Sequence, residues 1–397
     1  MFIRKGVIVM RPLSKLTTGL VGQPMLEILT TVTAMEAAGQ KVYRFEVGDS
    51  DFDAYPHIID ATKAALDAGH TRYVNSMGIE PLRQSIRTYI EQGWGFKPDL
   101  DQIVVAPSNS LIDFVVRCVA NPGDEVIFSD PGFPSYFAVT NYLGIRDVRV
   151  PVYESNGFRL NPDDLEARIT DKTRLLIVNT PQNPTGAVMT ADEAARIAAI
   201  AKKHQLWILS DEMYSENLYD GATHHSPSVF DQCREQTIIL HGFSKGFSMS
   251  GWRLGYAVGP AALMAKIGLM FNTIYTCVPP FIQYAGVSAL ASDRSMLKER
   301  MEKYRYLRDV MVGELNEIPG VSCPVPQGAI YAFPNIKGTG LSSQAFAKTV
   351  LEKAGVATVP GTCFGPGGEG YVRLCYLREE SLIREACAKM KQALSTL

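Results

Sequence analysis

The segment GFSKGFSMSGWRLGY, residues 242–256, presents a single amine in an unusual setting. Lys245 is flanked by Gly, Ser and aromatic residues and has no Asp, Glu, Lys or Arg within seven positions on either side. Arg253 follows eight residues later, in a second Gly-bounded apolar stretch. A lysine withdrawn from water is a nucleophile for aldehydes and can condense with one to a Schiff base, while a nearby arginine suits bidentate binding of phosphate. An aldehyde that carries a phosphate is pyridoxal 5'-phosphate (PLP). The competing reading is a buried turn whose lysine snorkels out to solvent.

Other chemistry-bearing residues sit where apolar runs stop. LWILSDEMYSE, residues 206–216, places Asp211 at the end of such a run, with Tyr214 three residues later. A buried carboxylate must find a partner or neutralise, and a protonated pyridine nitrogen is one such partner. VNTPQNPTG, residues 178–186, sets Asn183 before Pro184 after another apolar run. Asn-Pro alone is an ordinary turn signal; beside a strand-end Asp, a Tyr and an isolated lysine it becomes informative.

The elements that must position these residues alternate between two periodicities. QIVVA (102–106), DEVIFSD (124–130), TRLLIVNT (173–180), LWILSDE (206–212) and TIILHGFS (237–244) are too uniformly apolar for a half-wet sheet and predict fully buried strands. ADEAARIAAIAKKHQ (191–205) predicts a helix that Thr190 caps, with Glu193 three residues on. The alternation predicts an α/β fold on a mostly parallel sheet, whose ligands sit at the carboxyl ends of the strands. DRSMLKERMEKYRYLRDVMVGELNEI (293–318) predicts a long charged helix opening a smaller α/β domain. The expected division is an N-terminal arm with part of the small domain over 1–45, a large domain over 46–290 and a C-terminal small domain over 291–397.

Bulk properties narrow the function classes. A chain of 397 residues, 46% apolar, can bury a large core, and 39 basic against 41 acidic residues leave no field for nucleic acid. The seven cysteines are odd in number and contain no CxxC pair, which points to a reducing compartment and neither disulfides nor a zinc site. The apolar run of the opening MFIRKGVIVMRPLSKL is too short for a signal peptide, and no segment is long enough to span a membrane. A soluble cytoplasmic protein with no bound metal is expected. FGPGGEG (364–370) lacks the Lys of a phosphate-binding P-loop and predicts a tight turn. His224 and His225, in a polar loop, are expected at the surface.

In this order the segments resemble the class I/II aminotransferase family of fold-type I PLP enzymes. The resemblance runs from GDSDFDAYPHI (48–58) through TRYVNSMGIEPLR (71–83), DPGFPSY (130–136), NTPQNPTG, SDEMYSE and the lysine segment to YVRLCY (371–376). It implies that Lys245 forms the internal aldimine and shuttles the proton, that Asp211 pairs with the pyridine nitrogen, and that Tyr214 and Asn183 bond the phenolic oxygen of the ring. Phe133 would stack on the ring, Arg253 would grip the phosphate, and Tyr73 would reach the phosphate of a partner subunit. Arg373 would clamp the substrate α-carboxylate, with Gly48 and Asn183 beside the substrate. Individually, Asp211 could instead cap a helix, Phe133 fill a core and Arg373 belong to a structural ion pair. The implied reaction is ping-pong transfer of an amino group from an L-amino acid to a 2-oxo acid. A PLP-dependent β-lyase on the same fold is the alternative; a non-catalytic PLP-binding protein and a nucleotide-binding protein are weaker ones.

Two departures from the family pattern affect the phosphate site. Gly242 stands where a phosphate-binding Ser is frequent, and the loop APSNSL (106–111) is unusual, so Ser108, Asn109 and Ser110 would have to fill the phosphate cup. LIDFVVRCVA (111–120) behind them predicts a helix whose N-terminal amides suit an anion. Between residues 84 and 116 the only basic residues are Arg87 and Lys97, which argues for a non-acidic, apolar or aromatic donor. The tyrosine assignment and the segment LVGQPMLEIL (20–29), which looks like an arm, point to a homodimer with shared active sites.

Overall fold

The computed structural model describes residues 12–18, 20, 22 and 25–395. Its strands are β1 (Tyr43–Arg44), β2 (Ile103–Val105), β3 (Glu125–Asp130), β4 (Arg146–Pro151), β5 (Thr173–Asn179), β6 (Trp207–Asp211), β7 (Thr237–Gly242), β8 (Gly255–Val258), β9 (Tyr331–Ala332), β10 (Val356–Ala357), β11 (Val359–Pro360) and β12 (Val372–Cys375). Seven of these form the central sheet in the order β2-β8-β7-β6-β5-β3-β4. The neighbours from β4 through β3, β5 and β6 to β7 are parallel, and β8 runs against both β7 and β2.

Why the strands read as unbroken apolar runs is visible in their packing. Side chains alternate between faces along a strand, so a sheet covered on both sides needs apolar residues at every position. Val126 and Phe128 join one core with Leu175 and Ile177, while Ile127 joins another with Leu176 and Val178. The second core is closed by Ile197, Ile200 and Ala201 of the helix Ala191–His204. That helix starts as its sequence predicts. The Thr190 hydroxyl accepts from the Glu193 amide at 3.2 Å, and the Glu193 carboxylate accepts from the Thr190 amide at 2.8 Å.

A separate core gathers the remaining elements. Tyr304, Leu307, Met311 and Leu315 of the helix Arg294–Asn316 pack with Val350 of the helix Ser343–Ala354, Ile383 of the helix Glu380–Leu394, and Tyr43 and Phe45. The sheet β11-β12-β9 and the parallel pair β1-β10 belong to this half. FGPGGEG starts at the last residue of one 3-10 turn, Gly361–Phe364, and contains a second, Pro366–Gly368. The two turns pack closely enough that a Cβ on Gly361 or Gly368 would overlap the backbone carbonyl of the other.

Residues 1–11, and Val21, Gln23 and Pro24 of the 20–29 segment, lie outside the described residues. From Met25 onward that segment is helical, Met25–Ala37, and Val32 is fully buried. No helix among the described residues is long and apolar enough to cross a membrane.

Candidate active site

The parallel strands β5, β6 and β7 stop at one level, and the residues that follow them turn toward a shared cavity of about 300 Å³. Asp211, the last residue of β6, lies opposite Asn179 of β5 in the sheet register. Lys245 stands in the turn just after β7. The helix Ser108–Val119 starts three residues after β2 and brings Ser108 and Asn109 to the same cavity, and Phe133 enters from the loop after β3. From the other half come Gly48, Tyr331 of β9 and Arg373 of β12. Nearly all the sequence-predicted residues are thereby brought together: Ser108, Asn109, Phe133, Asn183, Asp211, Tyr214, Lys245, Arg253, Gly48 and Arg373 all line the cavity.

Two do not. Ser110 lies on the first turn of its helix but outside the cavity lining, because the third residue of a helix points about 200° around the axis from the first. Tyr73 is 86% exposed and away from the cavity within the chain.

Each inner residue is held by a specific partner. Asp211 is buried; its Oδ2 accepts from the Tyr136 hydroxyl at 2.6 Å and its Oδ1 from the Met213 amide at 3.3 Å. Burial pushes its carboxyl up to about 6, although the Tyr136 and Met213 hydrogen bonds pull the other way. The Tyr214 hydroxyl meets the Tyr331 hydroxyl at 2.8 Å, and burial raises Tyr214 well above the ordinary phenol range. Asn183 is fixed through its amide, which donates to Asn179 Oδ1 at 2.8 Å. Lys245 Nζ donates to the Gly48 carbonyl.

Arg373 is only 1% exposed, yet no acidic side chain among the described residues pairs with it. Its Nη1 donates to Asn183 Oδ1 at 3.2 Å and its Nη2 to the Glu46 carbonyl at 2.7 Å, while its Nε is buried without a partner. The guanidinium lies over the Tyr331 ring at 4.3 Å. A buried guanidinium with a free donor and no counter-charge is built to receive an anion.

The surroundings correct one sequence expectation and explain another feature. His224 is mostly withdrawn from the surface: its side chain is 12% exposed, and its Nε2 meets the fully buried Glu212 at 2.7 Å. Trp94 Nε1, Ser210 and Ser226 also donate to Glu212. Burial raises the Glu212 carboxyl, but the His224 partner and these hydrogen bonds outweigh it and hold the group below its ordinary value. Trp94 lies far away in sequence, so nothing in the loop around His224 announces its burial. Gly242 is explained by space: a Cβ there would sit 2.7 Å from Ser108 Oγ, and a Cβ on Gly255 would also overlap that oxygen. Two glycines therefore make room for the Ser108 hydroxyl at the cavity edge.

Residues 40–390 match the family described as Aminotransferase class I and II. The chain belongs to this aminotransferase family. It is 40% identical to the aromatic-amino-acid aminotransferase 2 of Thermococcus litoralis, over 88% of this chain and 90% of the relative. It is 36% identical to an aspartate aminotransferase of Pyrococcus horikoshii, over 89% of this chain and 91% of the relative. The solved aspartate aminotransferase of Rhizobium meliloti superposes with a TM-score of 0.92 at 31% identity, covering 98% of this chain and 99% of that one. The fold is therefore that of the fold-type I aminotransferases, which are PLP-dependent transaminases.

Several residues in and around the cavity carried no signal of their own in the sequence. Tyr136 is visible only as the residue three beyond Phe133, and Tyr331 stands in a two-residue strand. Met25 and Leu29 of the N-terminal helix also line the cavity, so this stretch of the supposed arm forms part of its own chain's site.

Proposed function

We propose that this aminotransferase moves an amino group from a non-acidic L-amino acid to a 2-oxo acid in two half-reactions at the described cavity, with PLP held by the residues that line it. The observation that carries this reading is the convergence of Lys245, Asp211 and Arg373, an amine, a buried anion and a buried cation, on one cavity.

The residues fit the cofactor. Asp211 is a buried carboxylate with no cation beside it among the described residues, and a protonated ring nitrogen supplies one. The first amides of a 12-residue helix, the Ser108 hydroxyl and the exposed Arg253 suit a phosphate. Bound PLP supplies an aldehyde that condenses with amines and a ring that takes up the electron pair released at the substrate Cα.

The chain's own groups do the rest. Arg373 holds the substrate α-carboxylate and so fixes the orientation of Cα. Lys245 Nζ would take the proton from Cα and deliver it to the carbon that had borne the cofactor's aldehyde. Asp211 stays ionised at neutral pH, held in place by Tyr136 and Met213. Asn183 and Tyr214, which line the cavity, would donate to the ring oxygen, and Phe133 would cover the ring face.

A charge count within the chain supports this substrate class. The cations that line the cavity are Lys245, Arg253 and Arg373. One serves the transfer, one the phosphate and one the α-carboxylate, which leaves none in the chain for a second carboxylate. Mixing the holoenzyme with single amino acids and following loss of the aldehyde form by absorbance tests the reading. Alanine, methionine or phenylalanine should react at least ten-fold faster than aspartate, and a 2-oxo acid added afterwards should restore the starting spectrum. A strong preference for aspartate would refute the substrate class; release of pyruvate and ammonia without amino transfer would favour the β-lyase.

Tyr73 supports a homodimer with shared sites. Its phenol stands in solvent, and Leu269, Ile274 and Tyr275 on the helix Ala261–Tyr275 are likewise exposed. A hydroxyl that donates to a partner's phosphate contributes about 1.5 to 3 kcal/mol, so Tyr73→Phe should weaken PLP retention about ten-fold or more without unfolding the chain. Mixed with Lys245→Ala subunits, it should give hybrids more active than either parent, since one site then carries both defects and the other neither. A fully active monomer in sedimentation would end the shared-site reading.

A further inference from the structure

Glu46 is the one acidic side chain of the cavity wall besides Asp211, and half of its carboxylate is unused. The residue is 1% exposed. Its Oε1 accepts from Arg44, at 3.0 Å from Nε and 2.9 Å from Nη2, and Arg44 is in turn paired with Glu36 of the N-terminal helix. Its Oε2 is buried and has no hydrogen-bond partner. A buried carboxylate oxygen left without a donor is costly, and such atoms mark places where a ligand completes the set.

Glu46 stands on the side of the cavity where the substrate would be anchored. The backbone carbonyl of Glu46 accepts from Arg373 Nη2 at 2.7 Å, so the residue adjoins the α-carboxylate anchor. Met25 and Leu29, which line the same side, are apolar and offer no hydrogen bond to a substrate side chain. We propose that Glu46 is a specificity-determining residue whose free Oε2 accepts a hydrogen bond from an N–H group at the end of the donor's side chain, favouring cationic amino acids over isosteric apolar ones and disfavouring a side-chain carboxylate. This rests on the aminotransferase reading of the cavity. The Arg44 pair engages only Oε1 and leaves Oε2 without a donor. The apolar wall accommodates the methylenes of a long side chain, and the single acceptor selects its tip.

The test uses the holoenzyme and three donors: lysine, norleucine, which is lysine without its terminal ammonium, and glutamate, with arginine added for its longer reach. The readout is kcat/KM for conversion of the cofactor, expressed as ratios between donors. In the native protein the better of lysine and arginine should exceed norleucine at least ten-fold, and glutamate should be the poorest. Glu46→Gln keeps the shape and an oxygen for Arg44 but turns the free acceptor into a donor. It should lower the lysine or arginine to norleucine ratio at least ten-fold and raise glutamate relative to norleucine. The inference is overturned if the native enzyme shows no advantage of either cationic donor over norleucine, a result that needs no variant. It is also overturned if Glu46→Gln slows every donor alike and leaves the ratios intact. If no amino acid converts the cofactor in the native protein, the aminotransferase reading fails first and takes this inference with it; if norleucine reacts and the cationic donors have no advantage, only the inference fails.

Discussion

Lys245→Ala should abolish turnover while leaving the cofactor bound. Removing the amine takes away the proposed proton carrier, worth about 10² to 10⁴ in rate on its own, together with the proposed covalent attachment, so a loss of at least about 10⁴-fold is expected. The side chains proposed to hold the phosphate and ring, Ser108, Asn109, Arg253 and Asp211, are left in place by this substitution. Borohydride reduction of the native holoenzyme and peptide mapping should find the added mass on Lys245 alone. Label on any other lysine would dismiss the assignment, as would a Lys245→Ala protein with native turnover. Added small amines should restore part of the rate to the variant, since the cavity left by the side chain opens onto the position the proton must cross.

Asp211→Asn should separate stability from activity. Without a cation beside it, the Asp211 carboxyl holds its proton up to about pH 6, whereas in the unfolded chain it ionises near 3.8. The folded state therefore binds more protons between those values, and stability falls as pH rises from about 4 to 6 and stays reduced above. At 1.36 kcal/mol per unit the penalty on the cofactor-free protein is on the order of 3 kcal/mol at neutral pH. Asparagine removes it while still accepting the Tyr136 hydrogen bond. Cofactor-free Asp211→Asn should show a higher urea midpoint than the native chain at pH 7, with the gap closing toward pH 4. Its turnover should fall about 10² to 10³-fold, the size expected when one member of a buried charge pair is removed. Equal urea midpoints at pH 7 would refute the first half, and near-native turnover the second.

What the sequence made legible follows from where chemistry sits in a parallel sheet. Asp211, Asn183 and Lys245 each come at or just after the end of an apolar run, so the strand prediction and the site prediction are the same observation. The capped helix at Thr190 was readable because both partners of its capping box lie within four residues. Contributions that depend on distant packing were not. Glu46 stands as a lone charge between Phe45 and Val47, and only the fold shows that it reaches the cavity. His224 looked solvated because its neighbours are polar, while its burial comes from Trp94 and Glu212. Tyr331 needed the antiparallel pairing of β9 with β12, which brings it beside the strand that carries Arg373. The Gly242 departure was visible as a missing hydroxyl; that Ser108 Oγ takes up the space could be seen only in three dimensions.

The cavity's walls divide the labour between two sources. Lys245, Asp211 and Asn183 are mounted on the ends of the parallel sheet, whereas Met25 and Leu29 belong to a helix that precedes every strand of that sheet. Substitutions in the helix leave the buried strands and their register untouched. Substrate range in such a scaffold can drift through mutations that carry little folding penalty, while the chemical apparatus is locked by the core beneath it. A library confined to Met25 and Leu29 would sample new substrates without touching the buried strands.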